Sequence, residues 1–391
     1  MDEGQSRLRS GTLFGFFQTM LMAFATLIPT WYFLSLDIGI TTFAFLLTIG
    51  DGFSFCLKPV IGYFTDRHGE RLYLMIGGFL FFFSLFLIGQ TTSIELIVAL
   101  KIIAGVASAL VFVLILIYSL RMVQEKPDKK IGMFGGIYNL GWIVGLLLPG
   151  LLLSRDHPQP GFYMILVAGI IWLILMFRFA KKYDSTVSVK PSFSSLKKIP
   201  VFIIFKAMDL AMFSAFLFYF SNYALNVLQL PRSQVSLIVV VETIFFAVSV
   251  FLVGRISRKS RRKFWVPLCI MFHVLGASVL LIAAYTNILV LYYLVGIFIG
   301  IAGGFIDIWI YSQISERFAV AEKGQIIGTL GWSYDLATIF GAQVPALFVI
   351  ITTGVLNPPT LGPEAFASLF VFPIVMFIVY VISVAWSRLH A

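Results

Sequence analysis

The stretch GYFTDRHGER, Gly62–Arg71, is dense in ionisable side chains. It lies between two long apolar segments of a 391-residue chain in which 60% of the residues are hydrophobic and 12% are charged. Such a stretch is either a solvated turn between two membrane spans or a functional element of the protein. The choice between these interpretations depends on the organisation of the whole chain.

The apolar segments indicate a membrane protein. The hydrophobic fraction exceeds the roughly 45–50% of ordinary soluble domains. Apolar segments of about 20 residues recur, each long enough to cross about 30 Å of hydrocarbon as a helix. They are continuous rather than alternating, which favours helices over a transmembrane β-barrel. We therefore predict an all-α polytopic membrane protein with about twelve transmembrane helices.

Hydropathy places these spans along the whole chain. The predicted spans are roughly 11–36, 38–61, 72–91, 93–120, 132–153, 161–179, 200–228, 233–253, 264–284, 286–313, 325–351 and 365–386.

The basic residues indicate the orientation. Most of the 28 Lys and Arg residues fall on the side of the membrane that holds the N-terminus, whereas Arg155 and Arg232 lie on the opposite side. Both termini are therefore expected in the cytoplasm. The compactness of the chain indicates a prokaryotic inner (plasma) membrane. The formal net charge of +10 then reflects topology and attraction to anionic membrane lipids, so we expect no nucleic-acid partner. We expect a functional monomer.

An internal repeat divides the chain in two. The segment IGMFGGIYNLGWIVGLLLP (131–149) aligns without gaps with IGTLGWSYDLATIFGAQVP (327–345). These are the predicted fifth and eleventh spans, the same position in each half. We predict two pseudo-symmetric six-helix bundles, 1–180 and 200–391, joined by a cytoplasmic central loop, 181–199.

With this architecture the opening stretch resembles a known signature. It matches the pattern G-x-x-x-D-R-x-G-x-R, which the major facilitator superfamily carries between its second and third spans. The corresponding loop of the second half, GRISRKSRRK (254–263), has Arg258 where the acid would fall. Lys101 and Gly105 resemble the fourth-span R-x-x-x-G pattern, with Lys in place of Arg.

The resemblance implies a conformational latch on the cytoplasmic side. Its residues would be Gly62, Asp66, Arg67, Gly69 and Arg71. A carboxylate such as Asp66 beside the N-terminus of the eleventh span would gain about 0.5–2 kcal/mol from the helix dipole. A solvated turn without a latch is the alternative.

Several ionisable residues fall inside the predicted spans, where a charge costs several kcal/mol unless it faces protein or water. They are Asp51, Lys58, Lys101, Lys206, Asp209, Glu242, Asp307 and Asp335. The candidates for proton or ion coupling are Asp51, Glu242, Asp307 and Asp335, of which Asp51, Glu242 and Asp335 are expected near mid-membrane. For each acid the alternative is a structural ion pair, and Lys206 and Asp209 are close enough along one helix to neutralise each other. His273 is the only acidic or basic residue in the ninth predicted span, and the resemblance places that span on the outside of the helix bundle.

A second set of residues is typical of a solute cavity. Its members are Gln18, Lys101, Asn139, Trp142, Asp209, Trp332 and Tyr334. Packing between helices is the alternative for the aromatic members. Gly141 and Gly145 favour close helix packing.

No Walker loop, metal-ligand spacing or nucleophile motif is visible, so we expect neither an enzyme nor a cofactor or metal. The resemblance implies a secondary active transporter that moves a small organic solute by alternating access, coupled to H⁺, and we favour efflux. One alternative is a proton-coupled importer in which Lys101 and Lys206 meet an anionic or polar metabolite. Another is a sensor or assembly factor that uses the same fold without transport.

Overall fold

The structure is a computed structural model, and it is helical throughout the part that it describes, without a β-strand there. This confirms the predicted all-α class. The described residues are 3–68, 70–123, 127–153, 158–179, 193–256, 264–318, 326, 329–355 and 362–389.

The first six helices follow the predicted spans closely. They are α1 (Glu3–Leu34), α2 (Ile40–His68), α3 (Glu70–Ile88), α4 (Ile94–Val123), α5 (Pro127–Leu152) and α6 (Pro160–Phe179).

A short helix, Phe193–Lys198, lies inside the predicted central loop. The next helix, α7, consists of Pro200–Ala215, a π-helical turn at Phe216–Phe220 and Ser221–Asn226. The helices α8 (Arg232–Ile256), α9 (Trp265–Thr286), α10 (Leu289–Arg317) and α11 (Trp332–Thr353) come next. The last, α12, begins with a 3₁₀ segment, Pro363–Phe370, and continues as Val371–Leu389.

These helices have the length and composition of membrane spans. Within the described residues, ten are long and apolar enough to cross a bilayer, and two further apolar stretches, Tyr73–Ile88 and Asn139–Leu152, are shorter. Large apolar side chains such as Phe79, Ile351 and Trp386 are exposed on their outer faces. Lipid is the medium that stabilises such a surface, which agrees with an integral membrane protein.

The chain folds as two compact units. One comprises Met1–Ile38, Leu46–Leu196 and Ala319–Trp332. The other comprises Gly39–Phe45, Lys197–Phe318 and Ser333–Ala391. The predicted domain boundaries, 1–180 and 200–391, stay a prediction.

The repeated segment packs in the same way in each unit. In the first, a Cβ atom at Gly145 of α5 would lie 2.5 Å from the carbonyl oxygen of Met20 on α1. In the second, a Cβ atom at Gly341 of α11 would lie 2.8 Å from the carbonyl oxygen of Ala211 on α7. Glycine at both places lets the backbones approach closely, so the small residues have the packing role expected for them.

A second close approach also occurs in each unit. A Cβ atom at Gly50 of α2 would lie 2.7 Å from the carbonyl oxygen of Lys101 on α4. At Gly300 of α10, a Cβ atom would lie 2.8 Å from the amide nitrogen of Phe246 on α8. Both contacts join the second and fourth helices of a unit's set, as a duplication requires.

The stretch that we expected to form a connecting loop is largely helical. The helix α2 continues to His68 and α3 begins at Glu70. A helix satisfies its own backbone hydrogen bonds, so it does not have to end where the apolar segment ends. Gly69 falls outside the described residues, and for Gly62, Asp66, Arg67 and Arg71 only the helical backbone is described. The latch therefore stays a prediction.

The eleventh helix also differs from the expectation. A turn at Gly331 separates α11, which begins at Trp332, from helical residues at 326 and 329–330, so the predicted span 325–351 is interrupted. Asp335 lies in the first turn of α11, and its depth in the membrane stays a prediction. Asp335 is buried.

Candidate functional site

Three helices of the second unit bring four ionisable side chains together. Lys206 and Asp209 project from one face of α7 because they are three residues apart. His273 comes from α9 and Asp307 from α10. We call these four residues the charge cluster.

Lys206 links the two carboxylates. Its Nζ atom lies 2.5 Å from Oδ1 of Asp307 and 3.4 Å from Oδ2 of Asp209. The pairing of Lys206 with Asp209 that the sequence predicted is therefore present, but the shorter contact is with Asp307, on another helix. Charge-assisted hydrogen bonds of this kind are stronger than those between neutral groups.

The charge cluster is removed from water. The side chain of Lys206 is 2% exposed, that of Asp209 5% and that of Asp307 14%. Buried charges are tolerated when they are paired, and here one ammonium group faces two carboxylates. The cluster thus has an acid in excess of its lysine.

His273 was not among the predicted site residues. It is fully buried, and its Nε2 atom lies 3.4 Å from Oδ1 of Asp209. Its Nδ1 atom lies 3.1 Å from the carbonyl oxygen of Cys269, one turn earlier on α9. We did not predict this residue as part of the site because span nine was expected on the outside of the helix bundle. The signal that could have found it is the general one, an ionisable side chain within a membrane span.

Aromatic and small residues complete the surroundings. The Nζ atom of Lys206 lies 5.9 Å from the ring centroids of both Phe246 and Tyr334. A Cβ atom at Gly303 of α10 would lie 3.4 Å from Oδ1 of Asp209, so glycine leaves room beside that carboxylate. Tyr334, predicted as a cavity residue, therefore lies beside Lys206.

Glu242 is a neighbour of the charge cluster. It lies in the interior of α8, is buried, and accepts a hydrogen bond of 3.1 Å from Oγ1 of Thr243. It also interacts electrostatically with Asp209 and Lys206. Glu242 is thus a third acid that lies in the field of Lys206.

A metal ion does not fit well at this place. Asp209, Cys269 and His273 bring potential ligand atoms within 4.8 Å of one another. However, the ammonium group of Lys206 lies 3.4 Å from Asp209 and would repel a metal cation. We therefore do not assign these residues as metal ligands.

The first unit holds the other predicted residues, in separate places. Asp51 interacts electrostatically with Lys101 close to the approach of α2 and α4. Gln18 of α1 is buried, and its Oε1 atom has no hydrogen-bond partner among the described residues. Asn139 and Trp142 are half-buried on α5.

The first residue of α11, Trp332, and the preceding Gly331 pack on α2 within the first unit. The ring of Trp332 lies 5.5 Å from that of Phe55, and Nζ of Lys58 donates to the carbonyl oxygen of Gly331 at 3.2 Å. Trp332 is buried by this packing. This contact favours the packing alternative for Trp332 over a place in a solute cavity.

Neutral polar atoms gather at the other end of α7. Ser221 and Asn222 follow the π-helical turn, and the ring of Phe220 lies 5.0 Å from that of Tyr292 at the start of α10. The Ser221 hydroxyl, the Asn222 carbonyl and the Tyr292 hydroxyl are buried without a hydrogen-bond partner in the part that the structure describes. Such atoms are stabilised when a water or a polar guest reaches them. π-Helical turns are frequent at functional sites.

The sequence profile of the Major Facilitator Superfamily matches residues 11–342. The chain belongs to the major facilitator superfamily. The resemblance carried by the opening stretch and the repeat is thereby confirmed.

Two bacterial relatives are similar in sequence to the chain. The chain is 24% identical over 363 residues to a protein of Staphylococcus epidermidis named proton-coupled antiporter flippase LtaA, which covers 90% of this chain and 88% of the relative. It is 24% identical over 165 residues to multidrug resistance protein 1 of Bacillus subtilis, over 41% of this chain and 42% of the relative.

Solved structures show the same fold. The nucleoside transporter NupG superposes with a TM-score of 0.74 at 14% identity, over 97% of this chain and 98% of NupG. The human organic anion transporter MFSD10 superposes with a TM-score of 0.64 at 15% identity, over 97% of this chain and 99% of that protein. At such identities the likeness shows the architecture alone.

Proposed function

We propose that the protein is a proton-coupled antiporter that exports a small organic solute by alternating access. The observation that carries this proposal is the charge cluster, in which Lys206 faces both Asp209 and Asp307 in a buried setting. We place the protein in a prokaryotic plasma membrane.

The excess acid gives the coupling a physical basis. With Lys206 charged and both carboxylates ionised, the buried cluster has one negative charge too many, and in a weakly polar medium such an imbalance is costly. A proton can neutralise it, and so can a cationic or hydrogen-bond-donating group of a solute. Two ligands that relieve the same imbalance exclude each other, which is the requirement for exchange. An inward proton gradient then drives the solute outward.

The relatives support this direction. The staphylococcal relative is named a proton-coupled antiporter, and the similarity extends over nearly the whole of both chains. Its name also contains the word flippase, which favours a membrane-soluble amphiphile as a second solute class. The Bacillus subtilis relative, similar over less than half its length, is named for multidrug resistance.

The import alternative meets an obstacle at Lys206. An anionic solute would have to compete with Asp307, which already lies 2.5 Å from the ammonium group. Lys101 of the first unit likewise has Asp51 in its field. A sensor or assembly factor that does not transport has no need for these buried charges, although burying them costs free energy.

The direct experiment is transport by the purified protein in liposomes. The vesicles contain the pH-sensitive dye pyranine and either ethidium or an NBD-labelled phospholipid. In a separate assay, lactate is added outside vesicles that contain pyranine alone. Antiport predicts that an acidic exterior acidifies the interior faster when ethidium or the labelled lipid is available for exchange, and that the probe leaves as protons enter. Lactate added outside that enters together with protons would support the import alternative. Proton flux that no probe changes would contradict the proposal.

A further inference from the structure

We propose that His273 and Asp209 share the exchanged proton, so that the imidazole on α9 is part of the coupling site. This inference rests on the proposed function and goes beyond it, because it assigns the proton to one pair within the charge cluster. Neither the predicted coupling acids nor the predicted cavity residues included His273.

Both ring nitrogens of His273 contact polar groups. Nδ1 lies 3.1 Å from the carbonyl oxygen of Cys269, which accepts, and 3.4 Å from the Cys269 thiol. Nε2 lies 3.4 Å from Oδ1 of Asp209, at an ion-pair distance but without the alignment of a hydrogen bond. With hydrogen on Nδ1, donated to the carbonyl oxygen, the lone pair of Nε2 faces Asp209, and a second proton on Nε2 or on Asp209 removes the repulsion from an ionised carboxylate. The pair then holds one proton more than a neutral histidine beside a carboxylate.

The neighbouring groups favour this pair over Asp307. Asp307 of α10 has the short contact with Lys206, 2.5 Å, which stabilises its ionised form. Asp209 has the longer one, 3.4 Å. Glu242 of α8, Tyr334 of α11 and the Cys269 thiol bring no positive charge near Asp209. A proton on the His273–Asp209 pair makes Lys206, Asp209, His273 and Asp307 neutral as a set.

Release of this proton restores the imbalance. The imidazole becomes neutral, Asp209 becomes a carboxylate, and Lys206 alone then faces two ionised acids. The proton leaves to water on one side of the membrane and is replaced from the other side, with no other bond made or broken. The solute group that binds after release is therefore expected to be cationic or rich in hydrogen-bond donors.

Nitrogen-15 NMR of histidine-labelled protein in nanodiscs tests the shared proton without transport. The variant His273→Gln identifies the His273 signals by their loss. We expect Asp209→Asn to change the proportion of the one-proton and two-proton forms of the ring at a fixed pH. Glu95→Gln is the control, since it removes an exposed acid at the start of α4, outside the charge cluster. Ring signals that do not respond to Asp209→Asn would overturn the inference.

Transport gives an independent readout. In the pyranine vesicles, His273→Gln is expected to lower proton flux coupled to ethidium by about tenfold, while Glu95→Gln keeps the wild-type flux. Full proton coupling in His273→Gln would overturn the inference and leave the proposed antiport standing. Wild-type protein without proton-coupled flux would contradict the proposed function, and the NMR spectra would still decide whether the pair shares a proton. If His273→Gln does not fold, the NMR spectra of the wild-type protein and of Asp209→Asn still decide whether the pair shares a proton.

Discussion

Lys206 on α7 and Asp307 on α10 are 101 residues apart in sequence, yet Nζ of one lies 2.5 Å from Oδ1 of the other. The contact joins two helices at a buried point where a second acid, Asp209, lies 3.4 Å from the same ammonium group. A lysine between two carboxylates can change partners with little movement. This relationship makes the charge cluster suited to a transport cycle as well as to stability.

Replacement of Asp307 by Asn is expected to abolish proton-driven exchange. The change removes the acid with the shorter contact to Lys206, so the lysine and Asp209 balance each other and no proton is needed for neutrality. Proton flux in the pyranine vesicles should fall by about tenfold or more, whereas binding of a cationic probe should weaken.

Glu95→Gln is the control for loss of an acid. Glu95 is exposed at the start of α4, where it accepts a hydrogen bond from Ser93. Its removal should leave proton flux unchanged. Wild-type flux in Asp307→Asn would show that this acid is structural.

Removal of Lys206 together with Asp307 should be tolerated better than removal of Lys206 alone. Lys206→Met leaves both carboxylates of the charge cluster without their lysine, and such a change costs about 3–5 kcal/mol of unfolding free energy. Asp307→Leu alone keeps Lys206 paired with Asp209 and should cost less. The double variant leaves one of the two carboxylates, Asp209, and we expect it to unfold at a higher temperature than Lys206→Met. Thermal unfolding in detergent, followed by tryptophan fluorescence, measures this. Additive losses would mean that the two residues do not depend on each other.

Two glycines of α2 offer a matched test of close helix packing. A Cβ atom at Gly50 would lie 2.7 Å from the carbonyl oxygen of Lys101, whereas one at Gly52 would meet nothing within 4 Å. Gly50→Ala should therefore destabilise the protein by about 1–3 kcal/mol. Gly52→Ala should be neutral or slightly stabilising because alanine favours a helix. Equal melting temperatures for the two variants would contradict the close approach of α2 and α4.

The predicted latch can be tested through Asp66. Asp66→Asn removes the carboxylate of the signature and should shift the balance between inward-open and outward-open states, so that transport slows while the protein stays folded. Cysteine accessibility to a membrane-impermeant maleimide on the two sides, together with ethidium flux, measures both effects. Glu70→Gln removes another acid of the same stretch and is the control. Unchanged accessibility and flux in Asp66→Asn would refute the latch.

Much of the fold could be predicted because the bilayer imposes local rules. Each span has to satisfy its own backbone hydrogen bonds, so apolar segments of sufficient length become helices whatever their neighbours. The repeat of 131–149 at 327–345 predicted the duplication, and the matching approaches at Gly145 and Gly341 agree with it. The turn at Gly331 inside the predicted eleventh span was not predicted, because hydropathy does not mark a local turn.

The site was predictable only as a set of candidates. An ionisable residue in a span stands out in the sequence, and Asp209, Asp307 and Tyr334 were named for that reason or for their place in the repeat. The positions of these residues in the sequence do not show which of their side chains are in contact. His273 was missed because its helix was assigned to the outside.

The sequence by itself determined that this chain is a helical membrane protein built from two related halves, since helix formation in lipid depends on local composition. Only the tertiary structure decided that Lys206 meets Asp307 and that His273 faces Asp209. Those contacts depend on the rotation and register of α7, α9 and α10. Glycines such as Gly303 set these by allowing close approach beside the cluster. Partner choice among buried charges is therefore a property of helix packing, which no single segment encodes.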